Sequence, residues 1–160
     1  IVMDNEIYGM TKGQASPTTA PDWTGSKLTP GGPHVAPVRP LELALSAGAG
    51  YIARSFSGDP NGLARTIADA IRFPGFAFIQ VLSPCITYRP EQMQYKKYVH
   101  AGFEATDDRA RAFAQLADDD HMTAGVLYRH EGPGWHPEPA SAASPVDLEA
   151  PFRVGPAASG

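Results

Sequence analysis

Two short stretches of the chain gather residue types that do chemistry. In the first, DNEIYGMTKGQASPTT from Asp4 to Thr19, Asp4 and Asn5 offer oxygen ligands and Gly9 and Gly13 permit turns that other residues resist. Thr11, Ser16, Thr18 and Thr19 add hydroxyls, and Lys12 adds a compact, mobile cation suited to a phosphate or carboxylate. Magnesium is oxygen-seeking and usually combines a few protein ligands with substrate phosphates, so this composition suits a magnesium-bound diphosphate. An ordinary polar loop has the same composition, and the residues alone leave both readings open. The second stretch is LSPC, in which the one cysteine, Cys85, follows an apolar run. A free cysteine there is either a thiolate ligand or an inert, buried small hydrophobe.

Elements of an α/β fold must position both stretches. The apolar start Ile1-Val2-Met3 predicts a buried strand whose carboxyl end delivers Asp4 and Asn5, the end at which open α/β sheets bind ligands. Residues 21–40 are dense in Pro and Gly and predict a long irregular segment that covers a site or an interface. Pro40 opens a helix through LELALSAG, and Tyr51 to Ser55 reads as a strand. Asp59 caps a second helix, with Pro60 at its first position and Leu63, Ile67, Ala70 and Ile71 on one face. Pro74-Gly75 ends it. Phe76 to Leu82, FAFIQVL, is then a nearly continuous apolar strand, as in a parallel sheet covered on both faces, and right-handed crossovers follow. Further on, Thr106, Asp107 and Asp108 start a helix that turns Ala110, Phe113, Ala114 and Leu116 inward, and Gly125 to Tyr128 forms one more strand. From Gly132 the chain is rich in Pro, Ala, Ser and Gly and reads as a flexible tail. The expected organisation is a cofactor-domain half over 1–90, an extension over 91–131 and the tail over 132–160.

Bulk properties remove several function classes. A net charge of −4 with 13 Lys and Arg provides no basic stripe for a nucleic-acid backbone. No apolar run approaches the roughly 20 residues that span a bilayer, and a single cysteine makes no internal disulfide. A cytoplasmic context is expected. No GxGxxG follows a strand, so a nicotinamide site has no support. The start without Met, inside a strand, leads to the expectation of a fragment.

Residues 1 to about 90 resemble the C-terminal half of the beta subunit of 2-oxoacid:ferredoxin oxidoreductases, the 2-oxoglutarate type in particular. Two motifs carry the resemblance: DNEIYGMTKGQASPTT is similar to the second half of that family's thiamine diphosphate motif, and SFSGDP…GFAFIQVLSPCITY is similar to its cluster-ligand segment. The resemblance implies a doubly wound parallel sheet with an extended, partly irregular C-terminal region. It makes Asn5 a side-chain magnesium ligand and Ile7 a backbone-oxygen ligand, with Gly9, Met10 and Thr11 lining thiamine diphosphate. Lys12 would lie near the 2-oxoacid carboxylate or coenzyme A, and Cys85 would be one thiolate of a 4Fe-4S cluster. The implied reaction is oxidative decarboxylation of a 2-oxoacid to acyl-CoA and carbon dioxide, with electrons passing through the cluster to ferredoxin. An alpha subunit is the implied partner. The family's Gly-Asp-Gly motif and its further cysteines are not in these 160 residues, so the chain alone is expected to be inactive.

Other readings compete. A non-enzymatic phosphate- or metal-binding module, a mere interaction domain and a pyruvate-specific member of the same family are the alternatives. Asp118, Asp119, Asp120 and His121 read as a solvated acidic helix end rather than a metal site. His130, Glu131, His136 and Glu138 read as loop residues rather than zinc ligands, and His34 as an exposed loop residue. Arg54 is either a structural ion-pair partner or a residue at the substrate mouth. Tyr8, Phe56, Phe76, Phe78 and Tyr88 are expected in the core or an interface, and Lys96 and Lys97 form a small basic patch for an acidic ferredoxin.

Overall fold

Apolar strands alternating with Pro-opened helices leave each strand's two faces to be covered separately, and the chain does so with helices on both sides of one sheet. The computed structural model describes residues 1–132; His136 and Glu138, and with them the tail expected from Gly132 onward, lie outside the described residues except for Gly132 itself. Along the chain run β1 (Val2–Asp4), β2 (Ile7–Tyr8), β3 (Gln14–Ala15), α1 (Pro40–Ser46), β4 (Tyr51–Phe56), α2 (Pro60–Arg72) and β5 (Ala77–Leu82). A 3₁₀ turn (Pro90–Gln94) leads into α3 (Tyr95–Tyr98), followed by β6 (His100–Ala101), α4 (Arg109–Ala117) and β7 (Thr123–Arg129). The main sheet has the order β1-β5-β4-β7-β6, and β2 pairs with β3 in a separate hairpin.

β5 is parallel to both β1 and β4, which gives the sheet its α/β character. β7 is antiparallel to β4, with a register shift between Ile52 and Ala53, so the extension after residue 90 is woven into the same sheet. Flanked by β5 and β7, β4 is buried along its whole length. On one face Tyr51, Ala53, Ile79 and Val81 pack under Leu63, Ile67 and Ala70 of α2 and under Phe73. On the other, Ile52 and Tyr128 pack under Leu41, Ala44 and Leu45 of α1 and Ala112 and Leu116 of α4. Each fully buried Leu or Ile contributes about 1.5–3 kcal/mol relative to exposure. α2 is capped as its sequence dictates: the Asp59 side chain accepts from the Gly62 N–H and Pro60 opens the first turn. Asp108 caps α4 by accepting from the N–H groups of Ala110 and Arg111.

The structure corrects four expectations. β1 is an edge strand that pairs with β5 alone among the described residues, so Ile1, Val2 and Met3 are exposed and only Asp4 is buried. Ile71 is exposed, because the face of α2 that meets the sheet is narrower than the apolar stripe. α4 is rotated: Ala112 and Leu116 face inward, while Ala110, Phe113 and Ala114 are exposed. Asp119 is no solvated helix end, since its side chain is fully buried against Arg54. Of the aromatic residues assigned to core or interface, Phe56 is buried and Phe78 partly so, whereas Tyr8, Phe76 and Tyr88 are exposed in this chain. Residues 21–39 hold no helix or strand, as their composition dictates, and no helix of the described residues is long and apolar enough to cross a membrane.

The Arg54–Asp119 pair decides a measurable difference among neighbouring acids. Removing one partner of a buried pair leaves an uncompensated charge, at a cost of about 3–5 kcal/mol. Asp119→Ala is therefore expected to lower the unfolding free energy by about 3 kcal/mol in urea denaturation, and Asp118→Ala, at an exposed position, to change it by less than about 0.5 kcal/mol.

Candidate functional site

Parallel pairing of β1 with β5 places Asp4 beside Leu82, so the two chemistry-bearing loops leave the sheet side by side at its carboxyl end. The Ser83 N–H donates to the Asp4 carbonyl at 2.8 Å, extending the ladder one residue past β5. Asp4 itself is a structural anchor and not a free metal ligand. Its Oδ1 accepts from Thr18 Oγ1 at 2.7 Å and from the Glu6 N–H at 3.1 Å, and its Oδ2 accepts from Gln80 Nε2 at 2.8 Å. The polar chain continues through the sheet: Arg54 Nε donates to Gln80 Oε1 at 3.0 Å, and Arg54 Nη1 donates to Asp119 Oδ2 at 2.7 Å. Arg54 is thus an ion-pair partner, one of the two roles the sequence left open.

The loop hydroxyls are also spoken for. Thr19 Oγ1 donates to the Glu6 carbonyl, Ser16 Oγ lies 3.2 Å from the hydroxyls of both Thr18 and Thr19, and Thr11 Oγ1 donates to Gln14 Oε1. They close the loop on itself rather than projecting as a row of free donors. Glu6 and Lys12 adopt positive φ values of 55° and 76°, a conformation non-glycine residues rarely take. Arg89 helps to hold Glu6 there: it forms an ion pair with the Glu6 carboxylate, bonds Glu91 at 2.9 Å and lies 4.9 Å from the Trp23 ring centroid. Burial lifts the Glu6 carboxyl above its ordinary range, with the Asp4 charge adding to the rise and Arg89 opposing it.

β2 and β3 form a short hairpin whose turn is closed by the Lys12 N–H to the Gly9 carbonyl at 3.1 Å and the Gly13 N–H to the Tyr8 carbonyl at 3.0 Å. This hairpin lies against the loop after β5. A side-chain carbon on Gly9 would sit 3.6 Å from Cys85 Sγ and 3.7 Å from the Tyr88 ring, and one on Gly13 would come within 2.9 Å of that ring. Gly13 also has φ +96°, so glycine is required there on two counts. Met10 and Lys12 are exposed at the hairpin tip. Asn5, Ile7, Gly9, Met10, Thr11 and Lys12 therefore belong to one loop and hairpin, and Cys85, half-buried, adjoins it at Gly9.

Gln92 joins the two stretches and gave no signal in the sequence. Its Oε1 accepts from the Cys85 N–H at 2.8 Å, and its Nε2 donates to the Asn5 carbonyl at 3.1 Å and to Tyr95 Oη at 3.1 Å. Behind the loop, a cavity of about 310 Å³ is bounded by Asp4, Thr18, Gln80 and Arg54 on the sheet side and by Pro21 and Val38 of the Pro-rich segment. That segment covers the polar end of the sheet, the role its composition implied.

The donor sets suit two different groups. Asn5 Oδ1 accepts one hydrogen bond, from the Ile7 N–H at 3.1 Å, and keeps its second lone pair for an oxygen-seeking cation such as magnesium. Cys85 Sγ is a soft donor of the kind iron–sulfur clusters take four of. Among the described residues no three His, Cys, Asp or Glu side chains converge to hold a metal by themselves. The acidic run ending in His121 accordingly forms no metal cluster. His34 lies in the irregular segment with φ 55°, His130 stacks on Tyr128, and Glu131 pairs with Arg129.

Residues 1–81 match the family model of thiamine pyrophosphate enzymes, C-terminal TPP binding domain, and the chain belongs to that family. Within it, the chain is 33% identical over 109 residues to the 2-oxoglutarate synthase subunit KorB of Archaeoglobus fulgidus, a match covering 68% of this chain and 40% of that one. It is 44% identical over 90 residues to the same-named subunit of Methanocaldococcus jannaschii, covering 55% of this chain and 32% of that one. Among solved structures, the 2-oxoglutarate:ferredoxin oxidoreductase from Magnetococcus marinus with 2-oxoglutarate, coenzyme A and succinyl-CoA bound superposes with a TM-score of 0.72 at 37% identity. That match covers 82% of this chain and 47% of the other. The chain thus spans less than half the length of these relatives. The resemblance carried by the two motifs is borne out, and so is the α/β fold it implied.

Gly13→Ala tests the contact between hairpin and loop. Strain at positive φ together with the approach to Tyr88 is expected to lower the unfolding free energy by more than about 1 kcal/mol. In urea denaturation, adding Tyr88→Ala should cost less in the Gly13→Ala background than in the wild type, because removing the ring relieves the crowding that the alanine introduces.

Proposed function

We propose that this chain forms part of the thiamine diphosphate-binding beta subunit of a 2-oxoacid:ferredoxin oxidoreductase that converts a 2-oxoacid, 2-oxoglutarate by preference, to its acyl-CoA and carbon dioxide. The observation that carries the reading is the closeness of the Gly9 hairpin to Cys85, in loops that follow adjacent parallel strands, so that an oxygen-donor loop and a soft sulfur donor lie side by side. A redox enzyme that joins a magnesium-bound cofactor to an electron acceptor needs both kinds of donor close together. The names of the KorB relatives and of the Magnetococcus structure support 2-oxoglutarate over other 2-oxoacids.

In this reading the Asn5 side chain and the Ile7 carbonyl hold magnesium, Gly9, Met10 and Thr11 line thiamine diphosphate, and Cys85 ligates a 4Fe-4S cluster. When bound, thiamine diphosphate serves as the electron sink for decarboxylation and the cluster as the acceptor of the electrons released. The protein's part is to place and shield. The Arg54–Gln80–Asp4 chain fixes the base of the cofactor loop from below. Lys12, exposed at the hairpin tip, is in this reading the cation that meets the 2-oxoacid carboxylate or coenzyme A. Since Cys85 is the one cysteine here, the remaining three cluster thiolates come from outside these 160 residues. An alpha subunit completes the site, and ferredoxin receives the electrons, with exposed Lys96 and Lys97 offering it a basic face.

Anaerobic purification of the complete enzyme tests this reading. It should yield a brown protein containing iron and acid-labile sulfide, and Cys85→Ser should lose most of both. Asn5→Ala should weaken thiamine diphosphate binding at limiting magnesium at least about tenfold, as loss of a metal-site partner does elsewhere. A colourless enzyme, or one whose cofactor affinity ignores Asn5, would contradict the proposal.

A further inference from the structure

Resting on that reading, the structure assigns Gln92 as a positioning residue that couples the two halves of the site, fixing the Asn5 backbone and the Cys85 backbone through one buried amide. Gln92 is 1% exposed and uses its whole amide: the oxygen accepts from the Cys85 N–H, and the nitrogen donates to the Asn5 carbonyl and to Tyr95 Oη. Its orientation is chemically determined. An N–H requires an acceptor and a carbonyl requires a donor, so the amide satisfies both loops only one way round. The 3₁₀ turn that presents Gln92 is opened by Pro90 and held by the Gln92 N–H bonding the Arg89 carbonyl at 2.9 Å. Arg89 in turn bonds Glu6, the residue after Asn5, and the Arg89 N–H bonds the Cys85 carbonyl at 2.8 Å. The turn is thereby tied to the Asn5 loop and to the Cys85 loop at two points each, independently of the sheet.

A displacement of either loop is consequently felt by the other through the Gln92 side chain, with Arg89 as a second link. Leaving a buried N–H or carbonyl unpaired carries a desolvation penalty, so the two loops gain most when both bond Gln92 together. Occupation of the Asn5 side by magnesium and thiamine diphosphate steadies the Asn5 carbonyl, hence Gln92, hence the Cys85 N–H. Partners bonded to metal ligands commonly set affinity by about 10–100-fold, and Gln92 acts one step further back, on the backbone atoms that carry Asn5 and Cys85.

The test uses the complete enzyme and three readouts. Gln92→Met keeps the length of the side chain and removes both bonds; it should raise the thiamine diphosphate Kd at limiting magnesium about tenfold and alter the electron paramagnetic resonance spectrum of the reduced cluster. Unchanged Kd and spectrum, with only a lowered melting temperature, would mean that Gln92 is merely structural and would overturn the inference. Should Gln92→Met fail to fold, the wild type decides: hydrogen exchange of peptides spanning residues 83–92 should slow when magnesium and thiamine diphosphate are added, and unaltered exchange would overturn the coupling. If the wild-type enzyme binds no thiamine diphosphate at all, the proposed function fails rather than Gln92's part in it. In that case exchange at the Cys85 N–H, faster in Gln92→Met than in the wild type if Gln92 holds the loop and equal if it does not, still settles the matter.

Discussion

The parallel register of β1 against β5 is the constraint on which the rest depends. Because Asp4 is aligned with Leu82, the chain leaves the sheet at two neighbouring points, and the loops that follow have no choice but to meet. Side chains alternate along a strand, so a shift of one residue would turn Asp4 to the opposite face. Its bonds to Gln80 and Thr18 would be lost, and with them the anchoring of the loop. The closeness of the Gly9 hairpin to Cys85 follows from that alignment.

Within the sheet, the polar chain that anchors the loop lies at one end of one face. Ile52 and Phe78 join the apolar cluster beneath α1 and α4, whereas Arg54 and Gln80, two residues further along the same strands, carry the polar chain to Asp4 and Asp119. Such a chain is costly to bury unless nearly every donor and acceptor is matched, which makes it a device for specifying one arrangement more than for adding stability. Among the described residues one atom of it, Asp119 Oδ1, is buried without a partner. The strain that accompanies this order appears at Glu6 and Lys12, both at positive φ within the Asn5 loop. Residues in such conformations persist where their surroundings over-determine them, as the bonds from Arg89, Thr19 and Asp4 do around Glu6.

Much of this was legible in the sequence, and the reason is local. Asp59-Pro60 announces α2 because capping and a fixed φ act within one turn, and FAFIQVL announces β5 because burial on both faces demands an unbroken apolar run. The loops were legible because their residue types are unusual together. Gln92 was not: in PEQMQYKKY it is one of two glutamines, and nothing local marks which of them turns inward to bond residues 7 and 87 positions away. Arg54 and Asp119 were ambiguous for the same reason, being 65 residues apart and joined only once β4 and β7 pair. The exposure of β1 and the rotation of α4 depend on which neighbours a strand or helix acquires, a property of the sheet order and not of periodicity.

The central claim is that the Asn5 loop and Cys85 are two parts of one site, side by side because β1 and β5 are. Iron-edge anomalous diffraction from anaerobic crystals of the complete enzyme, grown with magnesium and thiamine diphosphate, tests it most directly. The account predicts iron density bonded to Cys85 Sγ and, across Gly9 from it, magnesium and diphosphate on Asn5 Oδ1. Iron located away from Cys85, or a diphosphate bound away from Asn5, would contradict it.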